Sequence, residues 1–277
     1  MIPLQRRYPM SPQLHVHLLP SLIEADALNE GTAVIIDILR ASSTMITALQ
    51  NGATRVIPCG TTEEAFQLRD QSPQESILLG GERGGVKIQG FDFGNSPVEY
   101  NVSAVAGRTV VFTTTNGTKA ILKASTASTI LIGAFLNRTA IADRLRQEHR
   151  NTHLICAGTD GIVTGEDVLF AGAVVDELMG HDAPENPNSI SASWTLNDSA
   201  VMAWSLWRKT VADIAPSTSE APALIIRERL ALAMRNTQGG RNLISLGYDS
   251  DISLCSQLDQ FRIVPELDRQ QNCLLAH

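Results

Sequence analysis

The sequence lacks the features that would mark a membrane protein, a secreted disulfide scaffold or a nucleic-acid binder. No stretch of its 277 residues approaches the run of about 18 apolar residues that suggests a membrane span. The N-terminus, MIPLQRRYPMSPQ, carries charge and prolines but no apolar core, so it does not read as a secretory signal. Cysteine is scarce: Cys59, Cys156, Cys255 and Cys273 stand far apart, without metal-ligand spacing. A reduced, cytoplasmic setting is the simplest expectation. Cys59 and Cys156 each end an apolar run, where a small buried side chain is expected. Lys and Arg nowhere cluster and the formal net charge is -7, so the electrostatic footprint of nucleic acid is missing. An acidic background still leaves room for a small anion held by a few inward-facing cations.

What is present is a regular alternation. Hydrophobic residues make up 43% of the chain, enough for a sizeable core. Apolar, β-branched runs recur at AVIIDIL (33–39), RVIPCG (55–60), SILLGG (76–81), RTVVFTTT (108–115), STILIGA (128–134) and THLICAG (152–158). Helical patterns such as STMITALQNGA, TEEAFQLRDQ, NRTAIADRLRQEHR and EDVLFAGAVVDELMG fall between or after them. Continuous apolar runs predict strands buried on both faces. The order predicts an α/β protein, a three-layer α/β/α sandwich around a largely parallel, mixed sheet. Earlier, LHVHLLPSL (14–22) reads as an edge strand with His15 and His17 on one face, more simply a polar face than a metal site. After Gly180 the polar HDAPENPNSISASWTLND reads as a long connection, with helices expected near 198–213 and 222–235. Trp204 and Trp207 lie three apart and should share a packed face. RNLISLGYDSDISLCSQLDQFRIVPEL reads as helix, turn, short helix and a last strand. One domain over 1–277 is predicted, with 181–235 as an insertion or helical subdomain.

In an open α/β sheet, ligands bind beyond the carboxyl ends of the strands, and there the unusual residues gather. Asp37 lies in an apolar run, where a carboxylate needs a cation, a metal or donors to offset desolvation. Arg40 follows, and Ser42, Ser43 and Thr44 can cap the next helix, whose amides suit an anion. GGERGGVKIQGFDFGNSP (80–97) sets Glu82, Arg83, Lys87, Asp92, Asn95 and Ser96 among glycines. Arg83 has the fork to hold a phosphate, carboxylate or sulfonate, although a surface loop would explain the same composition. Thr114 to Lys119, with Asn116, Gly117 and Thr118, form a strand–turn–helix that could cradle an oxyanion. In CAGTDGIVTGED (156–167), Glu166 and Asp167 invite a hard cation, while helix capping would explain one of them. Gly239, Gly240, Arg241, Asp249 and Asp251 read mainly as a helix start and a solvated turn.

Taken in order, VIIDILRASST, GGERGGVKIQGFDFGNSP, TTTNGTKA, CAGTDGIVTGEDVLFAGAVV and RNLISLGYDSDISLCSQLDQFRIVP resemble the 2-phosphosulfolactate phosphatase family. The resemblance runs from about residue 33 to 265. It implies an α/β/α sandwich, a Mg²⁺ requirement and hydrolysis of (2R)-phospho-3-sulfolactate to 3-sulfolactate, a step of coenzyme M biosynthesis. One departure is Asn242, where the family tends towards His, so position 242 is assigned no catalytic role.

Asp37, Arg40, Glu82 and Arg83 are therefore the candidate catalytic set. Ser42, Ser43, Asn95, Ser96, Thr114, Asn116, Gly117, Thr118 and Lys119 are candidates for substrate binding. Asp37, Glu166 and Asp167 are the candidate Mg²⁺ ligands. Asp37 acts either as nucleophile, giving an aspartyl-phosphate, or as a metal ligand beside an attacking water. The expected partner is a small anionic phosphorylated substrate, with no nucleic acid and no membrane; a homo-oligomer is compatible with this reading. Two rivals are a nucleotide-dependent oxidoreductase of Rossmann type and a non-catalytic, metal-dependent binder of acidic metabolites. The first is weakened because no GxGxxG follows the first parallel strand.

Overall fold

Five consecutive residues, Thr32–Ile36, are all buried, as are Thr109–Thr113 and Thr152–Cys156, which requires cover on both faces of a sheet. The structure, a computed structural model, describes residues 11–24, 26–72, 74, 76–180, 194–212 and 221–277. Residues 1–10 and 181–193, on which the leader and long-connection expectations mainly fall, lie outside them.

The strands are β1 (Gln13–His17), β2 (Thr32–Ile36), β3 (Arg55–Pro58), β4 (Ile77–Arg83), β5 (Val86–Lys87) and β6 (Thr109–Thr113), then β7 (Thr129–Gly133), β8 (Thr152–Cys156), β9 (Thr195–Leu196), β10 (Pro265–Asp268) and β11 (Cys273–Ala276). The helices are α1 (Ala41–Gln50), α2 (Thr62–Gln71), α3 (Val102–Val105), α4 (Gly117–Lys123) and α5 (Arg138–Glu148), then α6 (Gly165–Met179), α7 (Asp198–Val211), α8 (Ala221–Arg235), α9 (Gln238–Ser245) and α10 (Asp249–Cys255). These elements form an α/β sandwich on one mixed, mostly parallel sheet. All six expected central strands are present, as β2, β3, β4, β6, β7 and β8.

The sheet order is β5-β4-β6-β3-β11-β10-β7-β2-β8-β1-β9. Two parallel blocks, β4-β6-β3 and β7-β2-β8-β1-β9, are joined by the antiparallel hairpin β10–β11. The joints are single residue pairs, Leu274 with Val56 and Glu266 with Leu131. A hairpin stands where a single last strand is expected, because FRIVPEL is followed by a turn and a second apolar run, CLLA. Five strand steps separate β6 from β2, about 24 Å at the usual spacing. Nevertheless Gly117, four residues beyond β6, lies against Asp37 beyond β2. The turn after β2, the Asp37 side chain and the loop after β6 together bridge that distance, so loops of both blocks meet at one place beyond the strand ends.

Helix α7 packs on α6 and on β1. Trp204 and Trp207 are buried, and their indole N–H groups donate to Asp176 Oδ1 (2.8 Å) and Oδ2 (3.1 Å), so this pair serves packing. All four cysteines are free and buried. No helix of the described residues is long and apolar enough to cross a membrane.

Strand β1 is not the edge: the two-residue β9 lies outside it. His15 and His17 do share a face, and His153 of β8 joins them in a stack with ring centroids 5.1 to 6.1 Å apart. His17 Nε2 lies 3.0 Å from His153 Nδ1. Burial, with the neighbouring imidazoles, lowers His17 and His153 to about 4. In the unfolded chain both would take up a proton near 6.5, while the folded protein keeps them neutral. The stability they contribute is present above 6.5 and is lost as pH falls towards 4. The melting temperature is expected to fall across that window, and the combined His17→Gln and His153→Gln variant to fall less steeply. An equal slope in both proteins, followed by calorimetry, would refute the assignment.

Candidate active site

A carboxylate one residue beyond an all-apolar strand must find donors, and the turn after β2 supplies them. Asp37 Oδ1 accepts from the Ala41 amide (3.2 Å) at the start of α1. The Asp37 amide donates to Ser42 Oγ (3.0 Å), and the Ser42 amide donates to the Asp37 carbonyl (2.8 Å). Oδ2 is turned to the other block: a Cβ built on Gly117 would come within 2.9 Å of it. Burial raises the Asp37 carboxyl to about 7, opposed by the Ala41 amide and reinforced by Glu82 and Glu166.

Glu82 at the end of β4 ties two loops together. Its Oε1 accepts from the Thr115 amide (2.8 Å) and its Oε2 from the Gly85 amide (2.6 Å). Gly84 and Gly85 turn the β4–β5 hairpin with φ of 59° and 81°, a left-handed pair that favours glycine. Arg40, buried at the entry to α1, donates from one terminal nitrogen to Asp251 Oδ2 (2.7 Å) and from the other to the Gly85 carbonyl (2.9 Å). Its guanidinium also lies 4.2 Å from the Tyr248 ring centroid.

These groups surround a cavity of about 280 Å³. Its lining takes Asp37, Leu39 and Arg40 from the turn after β2, and Glu82, Gly84, Gly85 and Asn95 from β4 and the segment after it. Thr115, Asn116, Thr159 and Asp160 come from the loops after β6 and β8, and α9 closes it with Gly239, Asn242, Leu243, Ser245 and Leu246. Among these described lining residues Arg40 is the cation, facing Asp37, Glu82 and Asp160. Buried side-chain atoms that lack a partner gather here: Asn95 Oδ1 and Thr115 Oγ1 on the wall, Thr114 Oγ1 on the side of Gly117 that Asp37 Oδ2 also faces, and Glu166 Oε2 beside α9. Unpaired buried polar atoms are uncommon in folded proteins, and several around one cavity mark a place for a ligand.

Not every predicted residue reaches the cavity. Ser42 and Ser43 are fully buried, and their hydroxyls donate to the carbonyls of Ile35 (3.3 Å) and Ile38 (3.0 Å), so they fasten the turn. Ser96 Oγ donates to Asp251 Oδ1 (2.8 Å). Thr118 Oγ1 accepts from the Thr114 amide (3.2 Å) behind the wall. Arg83 follows Glu82 on a strand and points to the opposite face, where it donates to Thr113 Oγ1 (3.0 Å) and the Glu82 carbonyl (2.8 Å). Lys119 is exposed on α4, away from the lining. Sequence reasoning missed the α9 wall, although Gly239, Asn242, Leu243 and Leu246 fall at i, i+3, i+4 and i+7 and so share one helical face.

For a metal, the donors are all oxygen. Asp167 spends both oxygens on amides, Oδ1 on Ile38 and Oδ2 on Gly158, each at 2.9 Å, and so clasps the loops after β2 and β8. Burial raises its carboxyl, as does the charge of Glu166 and Asp37. Glu166 is also raised, first by burial, and keeps Oε2 free. Among the described residues no three His, Cys, Asp or Glu side chains converge as a cage. Mg²⁺ does not need one, since it keeps waters and takes one or two carboxylates plus phosphate oxygens. Asp37 and Glu166 fit that requirement better than Asp167.

Residues 17–270 match the family model described as 2-phosphosulpholactate phosphatase. A protein of Caldanaerobacter subterraneus subsp. tengcongensis, named probable 2-phosphosulfolactate phosphatase, is 37% identical over 240 residues, 87% of this chain and 89% of that protein. A protein of the same name from Symbiobacterium thermophilum is 37% identical over 251 residues, 91% of this chain and 97% of its own length. Another from Caldicellulosiruptor saccharolyticus reaches 49% over 156 residues, 54% of this chain and 64% of that protein. With its acid-lined cavity at the strand ends, the chain is an enzyme of the phosphoric monoester hydrolase class. It belongs to the 2-phosphosulfolactate phosphatase family.

Gly239 tests the role of Glu166. A Cβ at this position would stand 2.0 Å from Glu166 Oε1, so the carboxylate must shift. Gly239→Ala is therefore expected to lower turnover at least tenfold while the fold, followed by circular dichroism, persists at some cost in melting temperature. Normal turnover would free Glu166 from any part in the site.

Proposed function

We propose that this chain is a Mg²⁺-dependent phosphatase that hydrolyses 2-phospho-3-sulfolactate, or a similar small phosphorylated acid, to the alcohol and phosphate. The observation that carries the reading is Asp37, buried beyond β2, with Oδ2 turned towards the loop that also holds the unpaired Thr114 and Thr115 hydroxyls. Arg40 on the same wall retains more N–H donors than its two bonds use, enough to meet a phosphoryl oxygen. Asp37 and Glu166 would hold Mg²⁺, which supplies charge stabilisation on the phosphoryl oxygens.

Asp37 in its carboxylate form attacks phosphorus in line, and the ester P–O bond breaks, releasing the hydroxy acid once its oxygen takes a proton. Water then attacks the aspartyl-phosphate, returning the carboxylate and releasing phosphate. Asn95 and the Thr114 and Thr115 hydroxyls orient the transferred group. Glu82 keeps its fork closed on Thr115 and Gly85, so the two loops stay in register. Family membership removes support from the oxidoreductase alternative. We also propose a cytoplasmic location, where four unpaired cysteines stay reduced.

Asp37→Asn preserves volume and removes the nucleophile, so kcat is expected to fall on the order of 10³-fold or more, about 4 kcal/mol. The fold, followed by circular dichroism, should persist. Acid-quenched wild type should carry a base-labile phosphate on the peptide containing Asp37. Its absence would leave Asp37 as a ligand beside an attacking water; near-normal turnover of Asp37→Asn would end both versions.

Chelation gives an independent test. EDTA-treated enzyme, metal-free by elemental analysis, is expected to be inactive and to recover with Mg²⁺ or Mn²⁺. Full activity without metal would overturn the Mg²⁺ requirement.

A further inference from the structure

The direction of the Arg40 guanidinium decides where an anion can sit, because it is the cation on the described cavity wall. We propose that Asp251 on α10 is the positioning residue that aims Arg40 at the phosphoryl group, an inference that rests on the phosphatase reading above. The two residues are 211 apart in sequence, and their side chains are 2% and 1% exposed. A buried ion pair is a weak source of stability, since desolvation offsets most of the attraction and apolar packing would serve as well. Orientation is what such a pair supplies, and every contact of this one restricts orientation.

Asp251 Oδ2 accepts from one Arg40 nitrogen at 2.7 Å, while its Oδ1 accepts from Ser96 Oγ at 2.8 Å, so the carboxylate cannot turn. The Gly85 carbonyl takes the other terminal nitrogen at 2.9 Å. The Tyr248 ring at 4.2 Å limits the guanidinium on its flat side. The loop bearing Ser96 is tied in turn to α1, where Thr44 Oγ1 donates to the Asn95 carbonyl at 3.0 Å. The Arg40 plane is thus fixed from α10, from the β4–β5 hairpin and from the loop before α3. Arg40 also lines the cavity, so the N–H groups left over from these bonds are the ones an anion there would meet.

The test compares Arg40→Lys, Asp251→Asn, Tyr248→Leu and Ser96→Ala in the full chain with Mg²⁺. It measures kcat/KM for 2-phospho-3-sulfolactate, inhibition by inorganic phosphate and the melting temperature. Asp251→Asn is expected to lower kcat/KM about 10²-fold, the cost of a misplacement near 1 Å, and to weaken phosphate inhibition. Asp251→Glu should recover part of the loss, and Tyr248→Leu and Ser96→Ala should show smaller changes in the same direction. A lowered melting temperature with wild-type kcat/KM and phosphate inhibition in the folded protein would overturn the proposal and leave a structural staple. Should Asp251→Asn fail to fold, Tyr248→Leu and Ser96→Ala decide on the same criteria. Impaired Arg40→Lys beside normal Asp251, Tyr248 and Ser96 variants would overturn the positioning role alone. Wild-type kinetics in Arg40→Lys would instead overturn the reading of Arg40, and this inference with it.

Discussion

Mutual repulsion among carboxylates taken out of water is the constraint from which the rest of this structure follows. Asp37, Glu82, Glu166 and Asp167 are each less than a tenth exposed and gather at one end of the sheet. Desolvation and like charge oppose the ionised forms of Asp37 and Asp167 alike. The chain answers chiefly with backbone N–H groups: Ala41 for Asp37, Thr115 and Gly85 for Glu82, Ile38 and Gly158 for Asp167. Donors of this kind carry no charge of their own, so they hold the acids in place without neutralising them. The remaining electrostatic tension is what a cation and a phosphoryl group can use.

Those amides lie in loops or, for Ala41, at the first residue of a helix, which is why the site depends on the topology. The acids come from both parallel blocks, and Glu82 at the end of β4 fastens the loop after β6 while that loop lies against Asp37 after β2. The carboxylates therefore act as cross-ties as well as chemical groups. Asp167 is the clearest case: it sits beside the site and closes two loops, yet its oxygens are already engaged.

Local pattern made much of this legible in the sequence. Apolar runs of β-branched residues, punctuated by helical segments, suffice for the six central strands, and Asp37 stood out because a charge in such a run demands a partner. Long-range geometry was harder to see. Glu82 and Arg83 are adjacent in sequence and equally charged in magnitude, but strand alternation sends one to the cavity and the other to Thr113. The pairing of Arg40 with Asp251 crosses most of the chain, and nothing local to GYDSDI announces it. The α9 wall escaped for a different reason: its face is built from Gly, Asn, Ser and Leu, residue types that carry little chemical signal until something opposite them is known.

The hairpin β10–β11 has a consequence for how the chain reaches this state. Its strands lie at the centre of the sheet, yet they follow every strand of both parallel blocks in the chain. On a ribosome, β1 to β9 emerge before the element that joins the blocks. Until then β3 and β7 each present an open edge where the hairpin will sit. Joining the two halves through the sheet thus waits for a hairpin made after all nine of those strands, and the cavity draws its walls from both halves.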